Sequence, residues 1–375
     1  MAKSEKLHGV NTERLLFART HYGLTPEDVH SKTKIKVDSI RNFEAGTLNP
    51  SYAELSTLAK VYKRPLLYFF FVEPPQPDAL QGAFRSIEQE LGLSFDLQGR
   101  LMLEKANEYR MNLAELFTGT DHPVFHQLLE EFQVRNETQL LAFLREKLNL
   151  SLDAQKNKFS RSDALLEYIR EQLYSIGIYV FKDSFKADAV SGLCLFDNNF
   201  PIILLNNKTT FTRQLFTVFH EIFHLWRKEV DIYIPKSNEE KACDRFASEF
   251  LIPSDDFTKQ INRAGDCENQ SIIETLASSY KVSPEAIAYK LRALDRISTE
   301  FYQSIRHDGI RKMNTTSSGG NFYYTRMSYL GKPYLKQVFT KYYDGKISTA
   351  AVGKYTGLKA THVAKLSSNM FGGAY

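Results

Sequence analysis

Between Asn11 and Tyr22 apolar side chains recur at Leu15, Leu16 and Ala18, and the run stops at Gly23, a spacing that predicts a helix. Thr25-Pro26-Glu27-Asp28 supplies a capping hydroxyl, a proline suited to the first helical turn and two early acids, so a second helix is expected there. A third is predicted from about Val37 to Ala45, stopping at Gly46. After Asn49-Pro50, Ser51 caps a fourth with Leu55, Leu58, Ala59 and Tyr62 on one side. The apolar stretch Pro65 to Val72 closes this unit, and Pro74, Pro75 and Pro77 form a linker. From about Leu80 to Leu173 the pattern stays helical, as at Leu101, Leu103, Ala106 and Tyr109, and carries no site chemistry. It is expected to be a helical connector.

The period then changes. Gly177 to Phe181, Val190 to Phe196 and Phe200 to Leu205 are short β-rich runs, and Asp197-Asn198-Asn199 between the last two predicts an antiparallel pair. Helices are expected again at Phe211 to Arg227, Asn238 to Leu251 and Gln270 to Leu294. Asn314 to Gly320 has the composition of a flexible joint.

A length of 375 residues calls for two or three domains, and 43% hydrophobic with 25% charged residues fits a globular chain. No run of eighteen apolar residues suggests a membrane span, and the first residues lack a signal core, so a cytoplasmic location is expected. The three cysteines, Cys194, Cys243 and Cys267, are scattered, as free thiols of a reducing compartment would be, and no chemistry is assigned to them. The net charge of +4 is uneven. From Asn321 to Tyr375 eight Lys/Arg face one acid, Asp344, giving +7 locally and leaving the rest at −3. This basic segment, with eight tyrosines, suits nucleic acid or an acidic partner, or serves as a solvated helical hairpin.

His220-Glu221-Ile222-Phe223-His224 has the HExxH spacing. Two histidines four apart on a helix share a face and can grip one ion. Zinc lowers the pKa of water from 15.7 to about 7, roughly 12 kcal/mol, and Glu221 stands where it can take that proton and pass it to a leaving amine. His122 and His126 are also four apart, but Pro123 interrupts them and no glutamate follows the first; they are read as surface or packing residues. A third protein ligand is expected at Glu240, and Asp244, one turn on, is expected to orient a ligand histidine. Ser237 and Glu240 also fit a capping box, which is the competing reading, and Glu239, Glu229 and Asp231 are further carboxylates within range.

Gly192, Asn206, the FTVFHEIFH run, Glu240 to Pro253 and VSPEAIAYKLRAL together resemble the ImmA/IrrE family of metallopeptidases over about residues 165 to 295. The resemblance implies a gluzincin-like fold, ligands at His220, His224 and Glu240, and a general base at Glu221. The family usually has glycine where this chain has Phe223, a side chain expected to narrow the cleft. A strand of the Val190 to Phe196 hairpin is the expected place for an extended peptide to add.

The segment from Gly23 to Tyr62 is similar to XRE-type helix-turn-helix domains around Ile40, Phe43, Glu44, Gly46, Pro50 and Leu55. The positions that would face DNA are Lys36, Val37, Asp38, Ser39, Arg41 and Asn42, with Lys36, Ser39, Arg41 and Asn42 the expected contacts. The sequence departs from the pattern at His30, in place of a small residue, and at Lys34, in place of the turn glycine. Asp38 would repel phosphates, and eleven Lys/Arg against seven acids up to Val72 make attraction modest. In the basic segment Gly353 and Gly357, four apart, with Val363 six later, have the spacing of a second helix-turn-helix, and His362 is read as polar surface.

The expected fold is therefore α+β and predominantly α-helical. It comprises a helix-turn-helix domain (1–75), a helical connector (78–174), a metallopeptidase domain with a small antiparallel sheet (175–300) and a basic helical region (320–375). The expected function is a regulatory zinc endopeptidase, with manganese or iron as alternative metals. Expected partners are DNA through residues 9–65, a protein substrate or a small toxin-like protein, and a second copy of the chain; no membrane is expected. The competing reading is a DNA-binding repressor or antitoxin-like scaffold whose metal domain is structural.

Overall fold

A computed structural model describes residues 5–73, 97–119, 125–133, 136–185, 191–227, 237–313 and 321–371. The prolines at 74, 75 and 77, His122, Glu229, Asp231 and the joint at 314–320 lie outside them. The chain is predominantly α-helical with one three-stranded sheet, and its contacts form two compact units, Met1–Leu101 and Met102–Tyr375.

The first unit holds α1 (Thr12–His21), α2 (Pro26–Thr33), α3 (Val37–Glu44), α4 (Tyr52–Val61) and a 3-10 turn over Leu66–Phe70. Thr25 and Ser51 each form a capping box, with Asp28 and Glu54 respectively, which satisfies the first free N–H groups of α2 and α4. Leu15, Val29, Ile40, Phe43, Leu55, Leu58, Tyr62 and Phe69 meet in one core. Arg19 grips Glu44 through two parallel bonds of 2.7 and 2.8 Å, fixing α1 against the end of α3. α2 ends at Lys34, which adopts φ +66 where glycine is usual, and His30 Nδ1 lies 2.7 Å from the Ile35 carbonyl across the turn.

The second unit begins within α5 (Leu97–Leu116) and continues through α6 (Phe125–Gln133), α7 (Glu137–Lys147), α8 (Leu152–Asn157) and α9 (Ser162–Ser175). The sheet follows, as β1 (Tyr179–Asp183), β2 (Gly192–Leu195) and β3 (Ile202–Asn206) in the order β1-β3-β2. β2 and β3 form the expected antiparallel hairpin; Asp197 Oδ1 accepts from the N–H groups of Asn199 and Phe200 at 2.8 Å to hold its turn. β1 pairs in parallel with β3, so the sheet is mixed where an antiparallel one was expected. The hairpin returns β3 to the middle, and every residue of that strand is buried.

Next come α10 (Phe211–Arg227), α11 (Ser237–Leu251), α12 (Ser254–Ala264), α13 (Gln270–Tyr280), α14 (Pro284–Ala293) and α15 (Thr299–Met313). The single helix expected from Gln270 to Leu294 is two. Lys281 turns to φ +62, Ser283 caps the second helix and Pro284 opens it, because proline cannot donate into the preceding turn. The chain closes with α16 (Phe322–Leu330), α17 (Lys332–Tyr343), α18 (Thr349–Thr356) and α19 (Val363–Phe371).

The residues expected to form a connector share one core with those around the sheet: Leu140, Leu144, Leu165, Ile169 and Leu173 pack in the same cluster as Ile203, Val218, Ile222 and Phe250. Two buried polar groups tie this cluster together. Gln155 donates to the carbonyls of Leu251 and Tyr280, at 2.8 and 2.9 Å, anchoring the end of α11. Arg170 donates to the Val180 carbonyl on β1 and to the last carbonyls of α16, Ser328 and Tyr329, at 2.7 and 3.0 Å. The Tyr109 and Tyr334 rings both meet Phe181, so α5 and α17 cover β1.

Candidate metal centre

α10 is a helix whose apolar side chains recur three and four apart and bury one broad face: Leu215, Val218, Phe219, Ile222, Phe223 and Leu225 are all buried. α11 lies against it through Phe219 stacked on Phe250, ring centres 3.8 Å apart, and Phe223 against Phe246 at 4.9 Å. β2 approaches from the sheet side. Gly192 permits this, since a Cβ there would stand 2.6 Å from Thr217 Cγ2 and 3.0 Å from the Leu204 carbonyl oxygen.

The polar stripe of α10 faces the polar stripe of α11. His220 Nε2 and His224 Nε2 are 3.1 Å apart. Glu240 brings Oε2 to 3.1 Å from His220 Nε2 and Oε1 to 4.0 Å from His224 Nε2. Each ring uses its other nitrogen elsewhere. His220 Nδ1 meets Asp244 Oδ1 at 3.0 Å, and His224 Nδ1 meets Cys243 Sγ at 3.5 Å. Glu240, Cys243 and Asp244 share one face of α11, as residues three and four apart must. The structure thus brings His220, Glu221, His224, Glu240 and Asp244 together. The side chains of residues 237–239 lie outside the described ones, so the capping alternative involving Ser237 stands apart from this geometry.

Electrostatics favour positive charge between the two rings. Burial works against a charged His220, but the Asp244 and Glu240 carboxylates outweigh it and raise its pKa to about 10. Burial, with His220 beside it, pushes His224 down to about 3. Burial also raises the Glu221 carboxyl to about 7, against the opposing pull of His220 and a hydrogen bond donated by the Cys194 thiol. A carboxyl poised near neutrality suits proton transfer in both directions.

A metal fits these donors. Two nitrogens each about 2.0–2.1 Å from a tetrahedral zinc stand roughly 3.3 Å apart, close to the 3.1 Å between the two Nε2 atoms. His220, His224 and Cys243 also lie within metal-sharing distance of one another, all within 4.8 Å. Cys243, however, stands on the Nδ1 side of His224, while Glu240 stands on the Nε2 side of both rings. The thiol is therefore placed to orient the ring, and the carboxylate to share an ion with both.

Two residues of the site carried no assignment from the sequence, Cys194 on β2 beside Glu221 and Cys243 on α11 beside His224. For Cys243 a signal existed, its spacing of three from Glu240 on a helix. Cys194 had none, because the sheet alone brings it to α10. Phe223 does not narrow an opening; it is buried against Phe246 and Trp226. His126 is exposed on α6, and His362 is half-buried, its Nδ1 2.7 Å from the Tyr323 hydroxyl. On α3, Lys36, Arg41 and Asn42 are exposed and Ser39 is half-buried, while Arg41 pairs with Glu27 at 2.8 Å.

Residues 174–292 match the family model of the IrrE N-terminal-like domain, a peptidase family designated M78. The family match of this stretch points to a metallopeptidase-like module. This stretch contains the sheet, α10, α11 and every residue of the site, and supports the ImmA/IrrE assignment for that part of the chain. Comparison with curated proteins finds no match.

Proposed function

We propose that the chain is a regulatory zinc-dependent endopeptidase that cleaves a repressor or another partner protein. The observation that carries this reading is the shared orientation of His220 and His224. Both rings turn Nε2 toward Glu240 and tie Nδ1 to a neighbour on α11. His220, His224 and Glu240 would hold the ion, three protein donors being the number that catalytic zinc sites use. Zinc bound there would supply Lewis acidity, polarising a peptide carbonyl and making water acidic enough to react near neutral pH. Glu221, buried and hydrogen-bonded by Cys194, would take the proton from water and deliver it to the leaving amine. Asp244 would hold His220 in the tautomer that presents Nε2. β2 is an edge of the sheet, which favours binding a substrate as an added strand. Manganese or iron would suit the same donors.

The first unit would place this activity, residues 9–65 docking on DNA or on a partner through Lys36, Ser39, Arg41 and Asn42. A small partner protein would be the natural substrate. New protein N-termini, counted after incubating zinc-loaded protein with a cell extract, test the peptidase reading. Wild type is expected to generate them and Glu221→Gln to lose them by about two orders of magnitude or more. Equal yields from the two proteins would leave the metal a structural role.

A further inference from the structure

We propose that α18 and α19 form a second helix-turn-helix and that this C-terminal unit binds duplex DNA. A turn with a left-handed residue followed two on by an extended one recurs along this chain, as at Gly23 (φ +64) and Thr25 (ψ 159) after α1, and three of its later copies differ in charge. After α2, Lys34 takes φ +66 and Lys36, two residues on, is extended with ψ 141. After α13, Lys281 takes φ +62 and Ser283 is extended with ψ 151. After α18, Gly357 takes φ +65 and Lys359 is extended with ψ 145. A buried β-branched residue follows at the same interval in each, as Ile40, Ile287 and Val363. The C-terminal copy has the residues the turn requires. Glycine occupies the left-handed position, and Gly353 faces the Leu358 carbonyl, which a Cβ would approach to 2.8 Å.

Geometry alone does not select a ligand, since the α13–α14 copy is bound into its own unit. There Lys281 Nζ donates to the carbonyls of Lys156 and Ser278. Charge separates the three. In the first copy Asp38 is exposed on the reading helix and Arg41 is neutralised by Glu27. In the second, Glu285 lies on the helix, 3.6 Å from Arg306. From residue 345 to the C-terminus there is no Asp or Glu, while Lys346, Lys354, Lys359 and Lys365 fall in that stretch.

Lys346 and Lys354 meet Asp344 and Glu115. Lys359 and Lys365 pair with no carboxylate among the described residues; they are exposed beside Ala360, Thr361, Ala364 and Ser368. Two exposed lysines flanking short side chains on a helix at this turn, Lys365 with its Nζ 5.4 Å from the Tyr323 ring centre, suit the major groove. The lysines would neutralise phosphates, and the small residues would let the helix approach base edges and thymine methyls. An acidic protein surface would match the charge but not the turn.

The inference is independent of the peptidase reading, and its variants differ from those that test docking by the first unit. Fluorescence anisotropy of a mixed-sequence 30-base-pair duplex, titrated with full-length protein across a salt series, reads it directly. Lys359→Ala/Lys365→Ala is expected to weaken binding at least about ten-fold and to lower the salt slope by nearly two. Thr361→Glu, an exposed change on the same face, is expected to do at least as much with an unaltered melting temperature. Lys36→Ala/Arg41→Ala reports the first unit separately. Wild-type binding that both C-terminal variants leave unchanged overturns the proposal. So does an absence of duplex binding at low salt, or a preference for single-stranded RNA of equal length.

Discussion

Phe223 shows how a residue's chemistry is decided by the side of the helix it occupies. It stands beside His224 in sequence, yet its ring is 1% exposed and packs between α10 and α11. Phe223→Gly is therefore expected to cost about 4–6 kcal/mol, from the lost ring and a helix-interior glycine. Turnover of the folded fraction should not rise. Chemical denaturation and activity per folded molecule check this, and a faster, equally stable variant would contradict it. Glu167 is a second case. Burial would raise its carboxyl, but Arg170 and Lys182 beside it hold it below the usual range. Lys182 is fully buried and its Nζ sits 2.7 Å from Glu167. A carboxyl with a lowered folded pKa contributes stability above its unfolded value, and that stability is lost as pH falls through the folded value. Glu167→Gln should destabilise by about 1–3 kcal/mol at neutral pH, less than a fully enclosed pair because Glu167 is 36% exposed. The difference from wild type should shrink in acid, as denaturation at several pH values would show; a gap constant with pH would refute the pairing.

At the scale of elements, the site depends on how closely β2 lies on α10. Gly192→Ala forces a Cβ against Thr217, and a cost of about 1–3 kcal/mol is expected. Thr217→Ser removes the opposing methyl and should recover part of that loss in the double variant; additive losses would mean the contact is not the cause. Much of this level was legible in the sequence. Thr25-Pro26 and Ser51 marked helix starts by local chemistry, Asp197 marked the hairpin, and the four-residue spacings in α10 and α11 set the stripes that face each other. What stayed hidden was long-range. Nothing local announces that β1 pairs in parallel with β3, or that Cys194 reaches Glu221. The break at Lys281 was written locally, in Val282-Ser283-Pro284, but the apolar period running across it concealed it.

For the whole molecule, two compact units and one uneven charge distribution frame the function. No helix among the described residues is long and apolar enough to cross a membrane. The second unit holds the candidate metal-site residues and also the basic C-terminal helices, whose Tyr334 packs on β1 and whose α16 ends on Arg170. The account rests on an ion shared by His220, His224 and Glu240, with Cys243 only steadying a ring. Elemental analysis of purified, untagged, full-length protein after zinc reconstitution tests this most directly. One zinc per chain is predicted for wild type and for Cys243→Ala, and a large loss for Glu240→Ala. Wild-type protein without stoichiometric transition metal, or Glu240→Ala fully loaded while Cys243→Ala is empty, would contradict it.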